Sequence, residues 1–198
     1  KTKAIVFRKA NTPSLEEIAI PSPGPREIRF RTEYSGVSIG TESSIFSGER
    51  THNGTFPLVG GYMASGIVEE TGDAVSGFAR GDRIVGMGAR FSDEIASVWG
   101  GHSSMQVISE DAALRVPDGV KMEEAAMFVL PGVGLNAVRM ANIVEQDTVL
   151  IFGQGLIGQF FGQWAKARGA QVIAVEPDSR RAALSRQYVT PHVLDPTE

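Results

Sequence analysis

The chain of 198 residues contains no cysteine. A disulfide, a thiolate nucleophile, an iron–sulfur cluster and a Cys-ligated zinc are therefore excluded. Histidine is scarce: His52, His102 and His192 are the 3 present, and no two share a metal-ligand spacing. Long hydrophobic runs are missing as well. The longest uncharged stretch, 148–165, is interrupted by glutamines and glycines and does not suit a membrane span. Positive charge is not in excess. With 19 Lys and Arg against 23 Asp and Glu, the net charge is −4, and the cations are scattered. That leaves no electrostatic footprint for nucleic acid and no basic membrane-surface helix. Lys1 to Lys3 runs straight into a strand pattern rather than a secretory leader, so a cytoplasmic protein is expected.

Glycine is what the chain has in abundance. Its 23 residues exceed the usual ~7% and predict many turns or close backbone approaches. A hydrophobic fraction of 42% is enough for a real core. Up to about residue 120 the pattern is one of short strands. Segments 3–8, 15–20, 62–70, 83–85 and 104–109 read as short strands separated by turns, and 27–34 alternates with period two. This texture predicts a compact β barrel or sandwich. Beyond Val116-Pro-Asp-Gly it changes. The pattern over 121–141 is helical, with a break expected at Pro131 and the glycines after it. A strand at 148–152, a helix at 156–168, a strand at 171–175, a helix at 179–187 and a short strand within 188–194 follow. That β-α-β-α series is the signature of a parallel doubly wound sheet.

The clearest chemical signal is Gly153-Gln-Gly155-Leu156-Ile157-Gly158. A lone G-x-G-x-x-G is weak in a glycine-rich chain, but this one follows an apolar strand and opens a helix. A second strand ends in Glu176, near the roughly 20-residue spacing a dinucleotide fingerprint requires. Gly153 permits a tight turn, Gly155 lets the backbone approach a pyrophosphate, and Gly158 lets the helix pack close to the strand. Free N–H groups at the helix start, including those of Leu156 and Ile157, suit the anion, and Glu176 suits a ribose diol. The reading is an NAD site, with NADP disfavoured by the Glu176 carboxylate. The alternative is a glycine-rich turn with no ligand.

With this element in place, the chain resembles the medium-chain, zinc-type alcohol dehydrogenase/reductase superfamily over nearly its whole length. The resemblance is carried by Gly36-Val-Ser-Ile-Gly-Thr-Glu42, Pro57-Leu-Val-Gly-Gly-Tyr-Met-Ala-Ser-Gly-Ile-Val68, Gly81-Asp-Arg-Ile-Val85, Gly100-Gly-His102, Val116-Pro-Asp-Gly119 and Glu123-Glu-Ala-Ala126. The Gly-Thr-Glu and Gly-Gly-Tyr segments are most similar to the bacteriochlorophyllide-type dehydrogenases. The resemblance implies a GroES-like β barrel over 1–120, then the first half of a Rossmann doubly wound sheet over 121–198, with the active site in the cleft between them. It also implies a small-molecule substrate and a homo-oligomer. The strand count gives only the first part of a six-strand sheet, so a longer natural chain, and a bare edge on the 148–152 strand, are expected.

The departures from the resemblance are informative. The place of the first catalytic zinc ligand falls on Ser38, or on Ile39 if Gly-Thr-Glu sets the register. The Gly-His-Glu segment has become Gly61-Tyr62-Met63, and a later ligand falls on Leu130 or Gly132. No zinc is expected, since the metal needs nitrogen, thiolate or carboxylate ligands. Tyr62 stands in a ligand's place, so the resemblance turns its phenol toward the cleft, where it would donate a proton or hold a substrate oxygen. The alternative is a tyrosine that packs and bonds to backbone. Thr41 lies where the family carries a relay hydroxyl. Thr41 as a helix cap with Glu42 in the first turn is the competing reading, and the favoured one for Glu42. Asn136 aligns with a family residue near the nicotinamide, and Arg181 with a basic position near the adenosine. His102 is a weaker candidate, and His52 and His192 read as solvated. The loop from Ala89 to Trp99, flanked by Phe91 and Trp99, either walls a pocket or caps the barrel.

Together these features predict a zinc-independent NAD(P)-dependent oxidoreductase acting on an alcohol or carbonyl. A quinone or enoyl reductase is the alternative within enzymes, and a non-catalytic dinucleotide-binding protein the alternative outside them.

Overall fold

A computed structural model describes residues 1–49, 56–92 and 94–196. By its contacts the chain divides into two units, Lys1–Phe128 and Val129–Glu198. In the first unit, β1 (Thr2–Phe7) and β2 (Pro13–Ile18) form an antiparallel hairpin. The breaker cluster 21–25 ends that hairpin, and β3 (Glu27–Ser35) follows. Its period-two pattern turns Ile28 and Phe30 fully inward while Arg29 and Arg31 reach outward to Glu70 and Glu69. Helix α1 (Ile39–Phe46) comes next. The remaining strands are β4 (Leu58–Val59), β5 (Ala64–Thr71), β6 (Arg83–Gly86), β7 (Ala96–Ser97), β8 (Met105–Ser109) and β9 (Ala113–Arg115).

These strands make two sheets, of order β2-β1-β4-β7 and β8-β3-β5-β6-β9. Their apolar faces meet in one core that includes Val6, Phe30, Val59, Ile84 and Ile108. Each such side chain contributes about 1.5–3 kcal/mol through burial. Gly66 on β5 is required by close approach, because a Cβ there would lie 2.1 Å from the Arg31 carbonyl oxygen across the pairing with β3. Phe91 belongs to this core at 5% exposure, so that part of the 89–99 loop caps the barrel.

Helix α2 (Met122–Ala125) packs with the first unit, where Met122 and Ala125 join Val85 and Val116. The Ser65 hydroxyl donates to the Met122 carbonyl at 2.7 Å. The helical pattern of 121–141 is indeed interrupted, but at 126–128 rather than at Pro131. Pro131 lies in the first turn of α3 (Val129–Met140), where its missing N–H removes no intrahelical bond.

The second unit continues with β10 (Thr148–Phe152), α4 (Leu156–Ala167), β11 (Gln171–Val175), α5 (Ser179–Tyr188) and β12 (Val193–Leu194). The three strands pair in parallel in the order β10-β11-β12. Gly134 lets α3 press on α4, since a Cβ there would lie 2.9 Å from the Phe161 nitrogen. Strand β10 is an edge of this sheet, with Leu150 and Phe152 exposed. The last strand is shorter than its sequence suggests, because α5 runs on to Tyr188. No helix among the described residues is long and apolar enough to cross a membrane.

Candidate functional site

The glycine loop joins β10 to α4. Gly153 adopts φ +84°, a left-handed conformation that favours glycine, and its N–H donates to the Val175 carbonyl at 2.8 Å. Gly155 is the N-cap residue of α4 and has no side chain to offer the helix start. Open space surrounds it: a Cβ at Gly155 would meet nothing within 4 Å. Gly158 is different, since a Cβ there would lie 2.1 Å from the Gly153 carbonyl oxygen. The loop is thus held tight beneath by Gly158 and left open above at Gly155. An anion approaching there meets the free N–H groups of the first helical turn, with Leu156 exposed beside it. The geometry fits a dinucleotide pyrophosphate.

Glu176 ends β11 and is buried at 5% exposure. One carboxylate oxygen accepts the Gln154 N–H at 2.5 Å, the other the Asp178 N–H at 3.0 Å. These bonds fix the carboxylate beside the loop and leave each oxygen a lone pair for a ribose hydroxyl. Gln154, the variable residue of the first Gly-x-Gly, is itself buried. Its Oε1 accepts the Ser185 hydroxyl at 2.9 Å, and Gln159 Nε2 donates to Ser185 Oγ at 2.8 Å. A polar network therefore ties the loop to α5. Asp178 caps α5 by accepting the N–H groups of Arg180 and Arg181, each at 3.0 Å, and these bonds hold its carboxyl below the usual carboxylate range. The Arg181 side chain is exposed near this cap. Asn136 is exposed on α3 with its amide directed at the Met140 sulfur, 3.4 Å away. A larger groove of about 600 Å³, lined by Ala170, Val172, Thr190 and His192 among others, contains none of the fingerprint residues.

In the first unit, Tyr62 is half-buried and packs edge-on to Trp99, with ring centroids 5.6 Å apart. Its hydroxyl makes no hydrogen bond among the described residues, so the phenol packs without spending its donor. Trp99 adopts φ +66°, uncommon for a bulky residue, and its carbonyl accepts the N–H groups of Gly88 and Ala89. Thr41 Oγ1 lies 3.4 Å from Ser38 Oγ. Ser38, not Thr41, is the N-cap position of α1, and Glu42 Oε2 reaches back to the Ser38 N–H at 2.9 Å.

The other oxygen of Glu42 does something the local pattern did not suggest. Oε1 lies 3.3 Å from His102 Nε2, while His102 Nδ1 lies 3.1 Å from Ser35 Oγ. The imidazole is thereby held between α1 and the end of β3. Gly61 makes room for it, since a Cβ there would lie 2.8 Å from the ring. This Ser35–His102–Glu42 cluster and the Gln154 network are the polar arrangements that sequence reasoning missed. The available signal was His102, at a place where the resemblance implies an apolar or aromatic residue. His52 lies outside the described residues, and His192 is exposed.

The zinc positions implied by resemblance hold Ser38, Tyr62, Met63 and Leu130 or Gly132. Met63 is fully buried and Leu130 nearly so. Hydroxyl, phenol, thioether and aliphatic groups do not make a zinc donor set. Among the described residues there is no group of three or more His, Asp or Glu side chains that could hold a metal ion.

Residues 24–118 match the family described as Alcohol dehydrogenase GroES-like domain. The chain is 29% identical to a quinone oxidoreductase of Pseudomonas aeruginosa, over 87% of this chain and 51% of that protein. It is 30% identical to a sorbitol dehydrogenase of Pongo abelii, over 91% of this chain and 56% of that protein. Among solved structures, it superposes on Escherichia coli quinone oxidoreductase complexed with NADPH. The TM-score there is 0.83 at 25% identity, covering 99% of this chain and 59% of the other. The chain thus spans about half the length of the curated relatives it matches. Residues 24–118 thus belong to the alcohol dehydrogenase GroES-like domain family, and together with the glycine-loop β-α-β unit after them and the relatives matched they support the medium-chain dehydrogenase/reductase superfamily for the chain.

Proposed function

We propose that this chain serves a zinc-independent, NAD-linked oxidoreductase that interconverts an alcohol and a carbonyl. The observation that carries the reading is the glycine loop: open at Gly155, closed at Gly158, and flanked by the fixed carboxylate of Glu176. The nicotinamide, when bound, supplies the hydride acceptor or donor. The rest falls to the protein. The first turn of α4 binds the pyrophosphate through its N–H groups. Glu176 accepts hydrogen bonds from the ribose diol, and its charge repels a 2′-phosphate, which favours NAD over NADP. Tyr62 holds the substrate oxygen and passes it a proton, since its phenol O–H is not spent on another partner and can donate. Thr41, beside Ser38 at the start of α1, is a second hydroxyl for that proton. A protonic acid of this kind takes the place of a metal at the substrate oxygen.

A second reading, reduction of a quinone or an enone, is favoured by the likeness to two quinone oxidoreductases. It uses the same cofactor residues and differs in the acceptor. Assaying the full-length natural protein with NAD(H) against alcohols, ketones, enones and quinones distinguishes the two. Turnover of alcohols or ketones supports the first reading, and turnover of quinones or enones alone supports the second. Binding of NADH with no turnover in any class refutes both and leaves a dinucleotide-binding protein.

A further inference from the structure

Ser35, His102 and Glu42 come from three separate segments and meet through one imidazole ring. Glu42 is oriented by the Ser38 N–H on Oε2, and its Oε1 is buried without a hydrogen bond in the present geometry. His102 Nε2 stands 3.3 Å from that oxygen. Nε2 is the ring nitrogen nearer that oxygen, in charge contact with it rather than hydrogen-bonded, and we assign the ring proton to it. Nδ1 is then left with its lone pair facing Ser35 Oγ at 3.1 Å, so the Ser35 hydroxyl donates to it. The ring cannot swing freely, because its side chain is only 7% exposed and lies against the bare backbone of Gly61. A hydroxyl bonded to a base, with the base oriented by a third group, is the arrangement that activates a nucleophile. Ser35 itself is exposed. It lies on an open groove of about 260 Å³, with Ile5 and Leu15 forming an apolar wall and Lys3 and Glu33 also lining it.

We propose that Ser35 is a nucleophilic acyl acceptor for short-chain activated carboxylic esters, with His102 as its base and Glu42 as the residue that orients the base. Ser35 Oγ bonds to the ester carbonyl carbon as its proton passes to His102 Nδ1. The carbonyl π pair moves onto oxygen, then returns to expel the alcohol oxygen, which takes the proton from His102. Water repeats the sequence on the acyl-serine and frees the acid. The net reaction is ester plus water to acid plus alcohol, with nothing oxidised or reduced. The inference draws on the first unit alone and is independent of the dinucleotide reading.

The experiment uses the whole chain with 4-nitrophenyl acetate, following phenolate release and mapping acetyl groups by peptide mass spectrometry. Acetylation at Ser35 ahead of every lysine is expected. Ser35→Ala removes an exposed hydroxyl, so its fold is retained, and it should abolish both the label and the fast phase of release. His102→Gln should slow acylation by about 10²–10⁴-fold, the usual contribution of a general base. Its thermal unfolding is measured alongside, and Glu42→Gln provides a second variant with an intermediate loss. The proposal is overturned by phenolate release in Ser35→Ala equal to that of the parent chain. It is equally overturned if Ser35 carries no more acetyl than the exposed lysines.

Discussion

Replacing Gly158 and Gly155 by alanine, one at a time, separates the two jobs of the glycine loop. At Gly158 the new Cβ would lie 2.1 Å from the Gly153 carbonyl oxygen and 3.1 Å from its carbon, where ordinary contact begins at 3.4 Å. Both obstacles are backbone, so relief requires α4 to move away from the end of β10. Overpacking of this kind costs about 1–3 kcal/mol, read as a lower urea midpoint with an unchanged slope. At Gly155 the Cβ meets nothing within 4 Å, and φ −68° with ψ −176° is available to alanine. Stability there should change by no more than about 1 kcal/mol, the cost of a poorer N-cap. Affinity for NADH should respond in the opposite pattern. A methyl over the open loop occupies the space the pyrophosphate needs, and the same 1–3 kcal/mol becomes about a fivefold to hundredfold loss in calorimetric titration. NADH binding to Gly155→Ala within about twofold of the parent would refute approach over Gly155, and with it the functional reading of the loop.

The remaining predictions use other parts of the molecule. Tyr62→Phe should lower turnover of the full-length enzyme by about 10²-fold or more if the phenol is the acid, and an unchanged rate would reduce it to packing on Trp99. NAD should bind more tightly than NADP because of Glu176. Arg181, near the same end of β11, acts against that preference, and a titration showing tighter NADP binding would overturn it. Protein purified without chelator should contain no stoichiometric zinc by elemental analysis, and finding it would force a search among the acids and histidines. Finally, the Arg90 guanidinium and the Gly24 N–H hold the Glu27 carboxyl below the usual carboxylate range. A depressed folded value means that its stabilisation is complete above the ordinary value, about 4.3, and is lost as pH falls through the folded value. Urea midpoints measured from neutral pH downward should therefore fall less steeply in Glu27→Gln, and parallel curves would contradict the assignment.

The parts of the fold that were legible in the sequence are those fixed by neighbours in the chain. Alternation over 27–34 is enough to face Ile28 and Phe30 inward, and an apolar strand running into Gly153 and then a helix is enough to make the loop. Pro131 shows where local reasoning goes wrong by a few residues. A proline stops a helix in its interior but is accepted in its first turn, and the chain places the break ahead of it. The candidate sites divide in the same way. Gly153, Gly155, Gly158 and Glu176 are brought together by one β-α-β unit, so spacing alone places them. His102 and Glu42 are brought together by the barrel, and no spacing announces it.

Glu42 shows why a correct local reading can still be incomplete. Its position in the first turn of α1 suits a negative charge, and Oε2 does accept the Ser38 N–H there. That bond accounts for one oxygen of two. The second is buried and faces His102, a residue distant in the chain whose other nitrogen is on Ser35. Gln154 behaves alike: its backbone N–H belongs to the loop and serves Glu176, while its side chain serves Ser185 on α5. A local motif accounts for the polar atoms it needs. A residue with more polar atoms than its motif uses, placed where the backbone buries it, turns the remainder toward a distant residue. Glu42 and Gln154 both lie within the segments that carry the candidate chemistry.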